Sequence, residues 1–226
     1  MTGMPHPAVT RVVEDYVTLI WKAHEWPGGT PTTSDLAAQL GVTPSTVSAN
    51  LKKLARDGFL DYEPYGSISL TEPGRAIAVE IVRRHRILET YLVRELGVPW
   101  DQVHDEADRL EHAVSDLVLD RMDDVLGHPS HDPHGDPIPD RDGNLTVTAD
   151  QALSQTAPGD RVRVIRVSDR SPEVLRHLEG LHVTVGTGLQ VEEVNEAADA
   201  IRVTVGDDAI HLSWSTANAI RVAPEG

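Results

Sequence analysis

TSDLAAQLGVTPSTVSANLKKLARDG, residues Thr33–Gly58, decides the fold of this chain. Its first eight residues make a short amphipathic helix stopped by Gly41, since glycine readily takes the left-handed conformation at a helix end. Thr43 then caps a second helix with Pro44 at the first position, where a missing N–H costs nothing, and that helix runs to Asp57-Gly58. A short helix, a glycine turn and a second helix have the spacing of a helix-turn-helix. Immediately downstream, Phe59-Leu60-Asp61-Tyr62-Glu63 and Ser67-Ile68-Ser69-Leu70 alternate about a turn at Pro64-Tyr65-Gly66, which predicts a hairpin and so the winged variety. Upstream, Val9, Val12, Val13, Tyr16, Val17 and Ile20 recur at helical spacing within 9–26, up to the breaker Pro27-Gly28-Gly29.

Working outward, two long helices follow. Over 75–96 the stripe is Ile77, Ile81, Leu88, Leu92 and Leu96, closed by Gly97; over 101–126 it is Val103, Ala107, Leu110, Val114, Leu117 and Val125, closed by Gly127. Two such helices bury too little by themselves, so they are expected to pack on the winged domain and on a second copy of the chain. Residues 127–144, GHPSHDPHGDPIPDRDGN, are rich in Pro, Gly and Asp and read as a linker. After it come short, often β-branched runs at 161–167, 182–185, 189–194, 200–205, 210–214 and 219–222, with one or two helical turns near 171–178. The expected architecture is multidomain and mainly α. It comprises a winged helix-turn-helix (1–72), a helical domain with its linker (73–146), and a small C-terminal β-barrel (147–226).

The 226 residues carry a net charge of −16, and half of that excess lies in residues 73–146 together with six of the eleven histidines. Such a balance excludes broad non-specific coating of DNA, which needs an extended positive surface, but leaves room for a small DNA-reading face. With no cysteine, disulfides, thiolate metal sites and thiol redox chemistry are excluded, and any metal must be held by nitrogen and oxygen. No stretch is apolar for long enough to span a bilayer and the N-terminus has no signal-like run, so a cytoplasmic protein is expected.

Two constellations carry chemistry. The second helix of the helix-turn-helix presents Thr43, Pro44, Ser45, Thr46, Ser48, Ala49 and Asn50 near its start and Lys52 and Lys53 further on. Hydroxyls and amides of this kind meet phosphates and base edges, and lysines meet phosphates. In HDEADRLEH, His104, Asp108, Glu111 and His112 fall at i, i+4, i+7 and i+8, on one helix face beside the apolar stripe. His85 and Glu89 repeat the i, i+4 spacing on the preceding helix. A cation shared by these groups offsets the mutual repulsion of the carboxylates. His128, His131, Asp132 and His134 in the linker, taken by themselves, read as solvated loop residues.

The segments RRHRILE (Arg83–Glu89), VHDEADRLEH (Val103–His112) and Pro137-Ile138-Pro139 together resemble the diphtheria toxin repressor family, over nearly the whole chain. The resemblance implies a metal-activated repressor that acts as a homodimer on a palindromic double-stranded DNA operator, with 73–146 as a helical metal-binding and dimerisation domain and 147–226 as an SH3-like β-barrel of the FeoA type. One implied site joins Asp15 of the first helix to Asp108, Glu111 and His112; a second uses His85, Glu89 and His104. Asp169 of the barrel and the pair Asp132 and His134 of the linker are further implied ligands. The iron-responsive branch has sulfur residues where this chain has Asp15 and Asp108, so the carboxylates match the manganese-responsive branch, in accord with the preference of hard oxygen donors for Mn²⁺. The chain departs from the short manganese regulators at Thr18, where they carry a second acidic ligand, so a closely spaced binuclear site of their type is not expected.

The expected function is Mn²⁺-activated repression of manganese-homeostasis genes, with Fe²⁺, Co²⁺ or Zn²⁺ able to bind in vitro. An iron-dependent repressor of the same architecture and a metal-independent winged-helix regulator are the alternatives. A metallohydrolase is disfavoured because no separate nucleophile is evident, and no catalytic role is expected.

Overall fold

The structure is a computed structural model and describes residues 9–26, 29–63, 66–146 and 148–225. The breaker at Pro27-Gly28 and the hairpin turn at Pro64-Tyr65 lie outside the described residues. The chain divides into two compact units, residues 1–84 with 139–144 and residues 85–138 with 145–226.

In the first unit, α1 (Arg11–His24) buries Val13, Tyr16, Val17, Ile20 and Trp21, one face at helical spacing. Val9 and Val12, which belong to the same apolar series, are 48% and 49% exposed. Helix α2 (Thr33–Leu40) is capped by the Thr32 hydroxyl, which accepts from Asp35 N, and ends at Gly41 with φ of 64°. Helix α3 (Pro44–Arg56) starts at the Thr43 cap, whose hydroxyl accepts from Thr46 N, and buries Val47, Leu51 and Leu54. Strands β1 (Leu60–Tyr62) and β2 (Ile68–Leu70) pair antiparallel, Leu60 opposite Leu70, as the alternation predicts. Helix-turn-helix and hairpin follow one another as the sequence requires of a winged helix.

Helix α4 (Glu72–Leu96) runs from the first unit into the second, whose share begins at His85. In the second unit the helix expected over 101–126 is broken. Helix α5 (Val103–Leu110) ends in a turn, and α6 (Asp116–Leu126) restarts at Ser115, whose side chain accepts from Val118 N with Asp116 in the first turn. Local capping therefore overrides the continuous apolar periodicity. Ile87, Leu88, Ala107, Leu119 and Ile138 form a small core here. Leu96, Leu117 and Val125, counted in the stripes, are instead 62%, 69% and 62% exposed.

Residues 127–138, read as the first part of a linker, are folded. His131 bridges Pro137, Asp132 Oδ1 accepts from the amides of His134 and Asp136, and Val167 N donates to His134 O. Gly135, at φ of 87°, lies so close to Ile165 O that no side chain fits there.

The C-terminal part is one six-stranded antiparallel sheet rather than a closed barrel, in the order β3-β8-β4-β5-β6-β7. The strands are β3 (Gln151–Ala152), β4 (Arg161–Val167), β5 (Gly188–Asn195), β6 (Ala200–Val205), β7 (Asp208–Ser213) and β8 (Ile220–Pro224). Register shifts in β4 and β5 curve it over a core that includes Leu153, Val164, Leu178, Val191, Ile201 and Val222. Residues 182–185, expected as a strand, form turns that close α7 (Pro172–Gly180), with Val183 N donating to Leu178 O. Ser213 ends β7 and caps α8 (Trp214–Asn218), so Trp214 belongs to a helix. Among the described residues no helix is long and apolar enough to cross a membrane.

Candidate metal centre

The polar groups of the second unit converge around His85 and Glu89, which α4 presents one turn apart and which are both 1% exposed. His85 Nδ1 lies 2.7 Å from Glu111 Oε2 and 3.3 Å from Asp108 Oδ1. On its other side, His85 Nε2 lies 2.9 Å from Glu89 Oε1 and 3.1 Å from His104 Nδ1. His104 Nδ1 is also 3.1 Å from Glu89 Oε1 and from Asp169 Oδ2, while its Nε2 is 3.8 Å from Asp108 Oδ2. His112 Nε2 is 3.2 Å from Glu111 Oε1. The turn after α5 keeps right-handed helical geometry at Glu111, so the i, i+4, i+7 spacing from His104 survives the helix break.

Two groups of three lie close enough for one ion each. His85, His104 and Asp108 form one; Glu89, His134 and Asp169 form the other, with ligand atoms within 4.8 Å of one another in each group. The grouping crosses the expected division, because His85 and His104 face both sides. Asp169 and His134, the one just after β4 and the other in the folded loop, do meet Glu89. Asp132 meets the centre indirectly: its carboxylate caps the loop and lies 3.7 Å from Arg86 Nε. His128 is largely exposed against Asp123, and His131 accepts or donates to the Ser130 hydroxyl, so both remain loop residues.

Asp132 and His134 are not solvated. His134 is fully buried; its Nε2 donates to Trp100 O at 2.8 Å and its ring stacks on the Trp100 indole at 5.8 Å. No hydrogen bond of ordinary length reaches its Nδ1, and Glu89 Oε2 lies 3.8 Å away. A buried imidazole nitrogen aimed at two carboxylates with nothing between them is the environment of a metal ligand.

Electrostatics describes the same place. Burial pushes Glu89 up, but the His85 charge, hydrogen bonds from His104 and His85 and the approach of His134 outweigh it and hold the carboxyl well below its usual range. Burial pushes His134 down, but the approach of Glu89 and the charges of Glu89, Asp132 and Asp169 raise it to about 10. Without a cation, a proton on His134 does the cation's electrostatic work. Burial, Asp136 and Glu89 push Asp132 well above the ordinary carboxylate range.

Sequence reading missed the frame around this loop. Arg86, 1% exposed, donates to Pro137 O and lies 3.9 Å from Asp136 Oδ2, and Arg166 pairs with Asp136. The only sequence signal was two arginines opposite two aspartates in apolar company. No local periodicity could pair them.

In the first unit, Asp15 is half-buried on α1 and Thr18 is buried with its hydroxyl unpartnered. Thr43, Pro44, Ser45, Thr46, Ala49, Lys52 and Lys53 are exposed on the outer face of α3, and Ser48 is half-buried. Asn50 is half-buried too, and its amide donates to Tyr16 Oη at 3.0 Å, tying α3 to α1.

Three family models match the chain. They are an iron-dependent repressor N-terminal DNA-binding domain over residues 8–68, an iron-dependent repressor metal-binding and dimerisation domain over 71–140, and a FeoA domain over 151–224. The iron-dependent repressor IdeR of Mycobacterium tuberculosis is 40% identical over 126 residues, which span 56% of this chain and 54% of that protein. The IdeR of Mycobacterium leprae is 31% identical over 225 residues, covering 92% of this chain and 95% of its own length. Among solved structures, a manganese-dependent transcriptional repressor in complex with manganese is 41% identical with a TM-score of 0.90, over 94% of this chain and all of the other.

Proposed function

This chain belongs to the diphtheria toxin repressor family of metal-dependent transcriptional repressors, and we propose that the metal it answers to is manganese. We assign residues 1–72 to DNA binding, 73–146 to metal binding and dimerisation, and 147–226 to the FeoA-like domain. The observation that carries the metal assignment is the donor set. Carboxylates and imidazoles converge in the second unit, the chain has no cysteine, and the resemblance sets Asp108 where the iron-responsive branch has sulfur. The likeness to a manganese-loaded repressor supports the same reading.

Two donor sets serve two ions. The outer set is Asp108, Glu111 and His112, to which the resemblance adds Asp15. The inner set is Glu89, His104, His134 and Asp169, with His85 beside both and Asp132 holding the loop that carries His134. Bound there, a divalent ion supplies the positive charge that these carboxylates lack. A cation held there would offset the repulsion between Asp108 and Glu111, and His134 would serve it through an unprotonated ring nitrogen. The α3 face from Thr43 to Lys53 contacts the operator, with Lys52 and Lys53 on phosphates and the Thr43 cap at the helix N-terminus. In a homodimer, apolar residues such as Leu117 and Val125 supply surface for the second copy, and two α3 helices suit a palindromic DNA site. Such a regulator works in the cytoplasm on manganese-homeostasis genes.

A second reading, iron as the effector, is favoured by the full-length match to an iron-dependent repressor. Gel retardation on a palindromic operator with Mn²⁺ and with Fe²⁺ under anaerobic conditions separates the two. Retention at lower Mn²⁺ than Fe²⁺ is expected. Retention by Fe²⁺ alone overturns the manganese reading, and Mn²⁺-dependent retention that survives Asp108→Ala overturns the site.

A further inference from the structure

Helix α3 is held in its unit by contacts of two kinds. Val47, Leu51 and Leu54, at i, i+4 and i+7, are buried in a row. Three residues after Val47, the Asn50 amide donates to Tyr16 Oη of α1 at 3.0 Å. Tyr16 is 3% exposed and Asn50 half-buried, while Thr46 and Lys53, one turn to either side of Asn50, are exposed. Asn50 therefore stands at the margin between the buried row and the outer face. Apolar burial has no direction, whereas a hydrogen bond weakens steeply once its length or angle leaves the optimum. The row keeps α3 against its unit; the hydrogen bond fixes how far the helix is rolled about its own axis.

We propose that the Tyr16–Asn50 pair sets the roll of α3, so that Asn50 is a positioning residue and not a reader of bases. The inference rests on the reading above that the α3 face contacts the operator. An asparagine that reads adenine turns both amide atoms to the base edge. The Asn50 amide is turned instead to a tyrosine buried in its own unit. A helix is ~10–12 Å across with its side chains, so a roll of about 10° moves its outer face by about 1 Å. Such a shift takes a hydrogen bond from Ser45, Thr46 or Ser48 to a base edge out of its ordinary range. Lys52 and Lys53 reach phosphates on flexible stems and follow the shift. Loss of the pair therefore falls on sequence discrimination, while attraction to the DNA backbone stays. A hydrogen bond between neutral groups is typically worth a factor of about two to ten, which bounds the effect.

The test uses the full-length protein in saturating Mn²⁺ and a duplex that this protein selects from a pool of random sequences, with binding read by fluorescence anisotropy. Tyr16→Phe keeps the buried ring and removes only its hydroxyl. It should weaken the selected duplex about fivefold and leave random-sequence DNA within about twofold. Asn50→Ala, at a half-buried position, should match it, and the double substitution should be no weaker than either alone. In duplexes changed one base pair at a time, both variants should lose discrimination at the same several positions. A base-reading Asn50 gives another pattern: Asn50→Ala levels discrimination at a single base pair while Tyr16→Phe changes nothing. That pattern would overturn the proposal. So would a lowered melting temperature in both variants with affinity for the selected duplex unmoved, which is the mark of a bond that serves stability alone. A pool from which no sequence is enriched would overturn the reading of the α3 face and the proposal with it.

Discussion

The outer and inner donor sets proposed above flank His85 and differ in how they are built. The outer set comes almost entirely from one turn: Asp108, Glu111 and His112 are neighbours on a helix face, and the Asp108 side chain is 53% exposed. The inner set comes from separate segments. Glu89 is on α4, His104 on α5, His134 in the loop before the sheet and Asp169 just after β4, and Glu89 and His134 are buried. A local set, of which Asp108 is exposed and Glu111 buried, forms with the helix end that carries it. A buried, non-local one is part of the core of its unit and must be neutralised whether or not a metal is present.

Metal-free stability sharpens that contrast. Glu89→Ala should have the largest effect, because it leaves His85, His104 and His134 facing one another without their buried counter-charge. Breaking one partner of such a buried group typically costs ~3–5 kcal/mol, read by thermal or urea unfolding in chelator. Gly135→Ala should come next, at roughly 1–3 kcal/mol, since it adds left-handed strain and drives a methyl group against Ile165 O. Ser115→Ala removes the cap of α6 and should cost ~1 kcal/mol. Asp108→Ala should change metal-free stability by no more than ~0.5 kcal/mol while abolishing the metal response of DNA binding. If Asp108→Ala destabilised the metal-free protein as much as Glu89→Ala, the division between a structural and an effector set would be broken.

A pH series tests the inner set separately. His134 is raised in the folded protein to about 10, above its ordinary value, so the protonated ring stabilises the metal-free fold. That contribution is complete below the unfolded histidine pKa of roughly 6.5 and is lost as pH rises through about 10. The melting temperature of chelated protein should fall between pH 7 and 10, and His134→Gln should flatten that slope. An unchanged slope in His134→Gln would show that another group supplies it.

How much the sequence disclosed follows the same contrast. Helix-turn-helix and hairpin were legible because each is written in a short continuous stretch, in caps, glycine stops and alternation. The break at Ser115 was a cap signal hidden under a continuous apolar stripe. Folding of the loop around Asp132, His134 and Asp136 was not legible, because its partners Arg86, Trp100, Arg166 and Val167 lie tens of residues away. Pro and Gly in that loop serve close approach to β4 as well as chain reversal, and composition does not distinguish the two. Turns at 182–185 replaced an expected strand because residues after α7 satisfied their hydrogen bonds on the helix end.

The bond from Val167 N to His134 O has a consequence in time. A chain being synthesised has emitted the whole outer turn once His112 has left the ribosome, whereas the loop holding His134 has nothing to dock on until β4 follows. Asp169 comes later still. At ~5–20 residues per second the growing chain spends some seconds with Asp108, Glu111 and His112 already in one turn and Asp169 not yet made. The nascent protein thus holds its local donors together before the long-range contacts that place His134 and Asp169 can form.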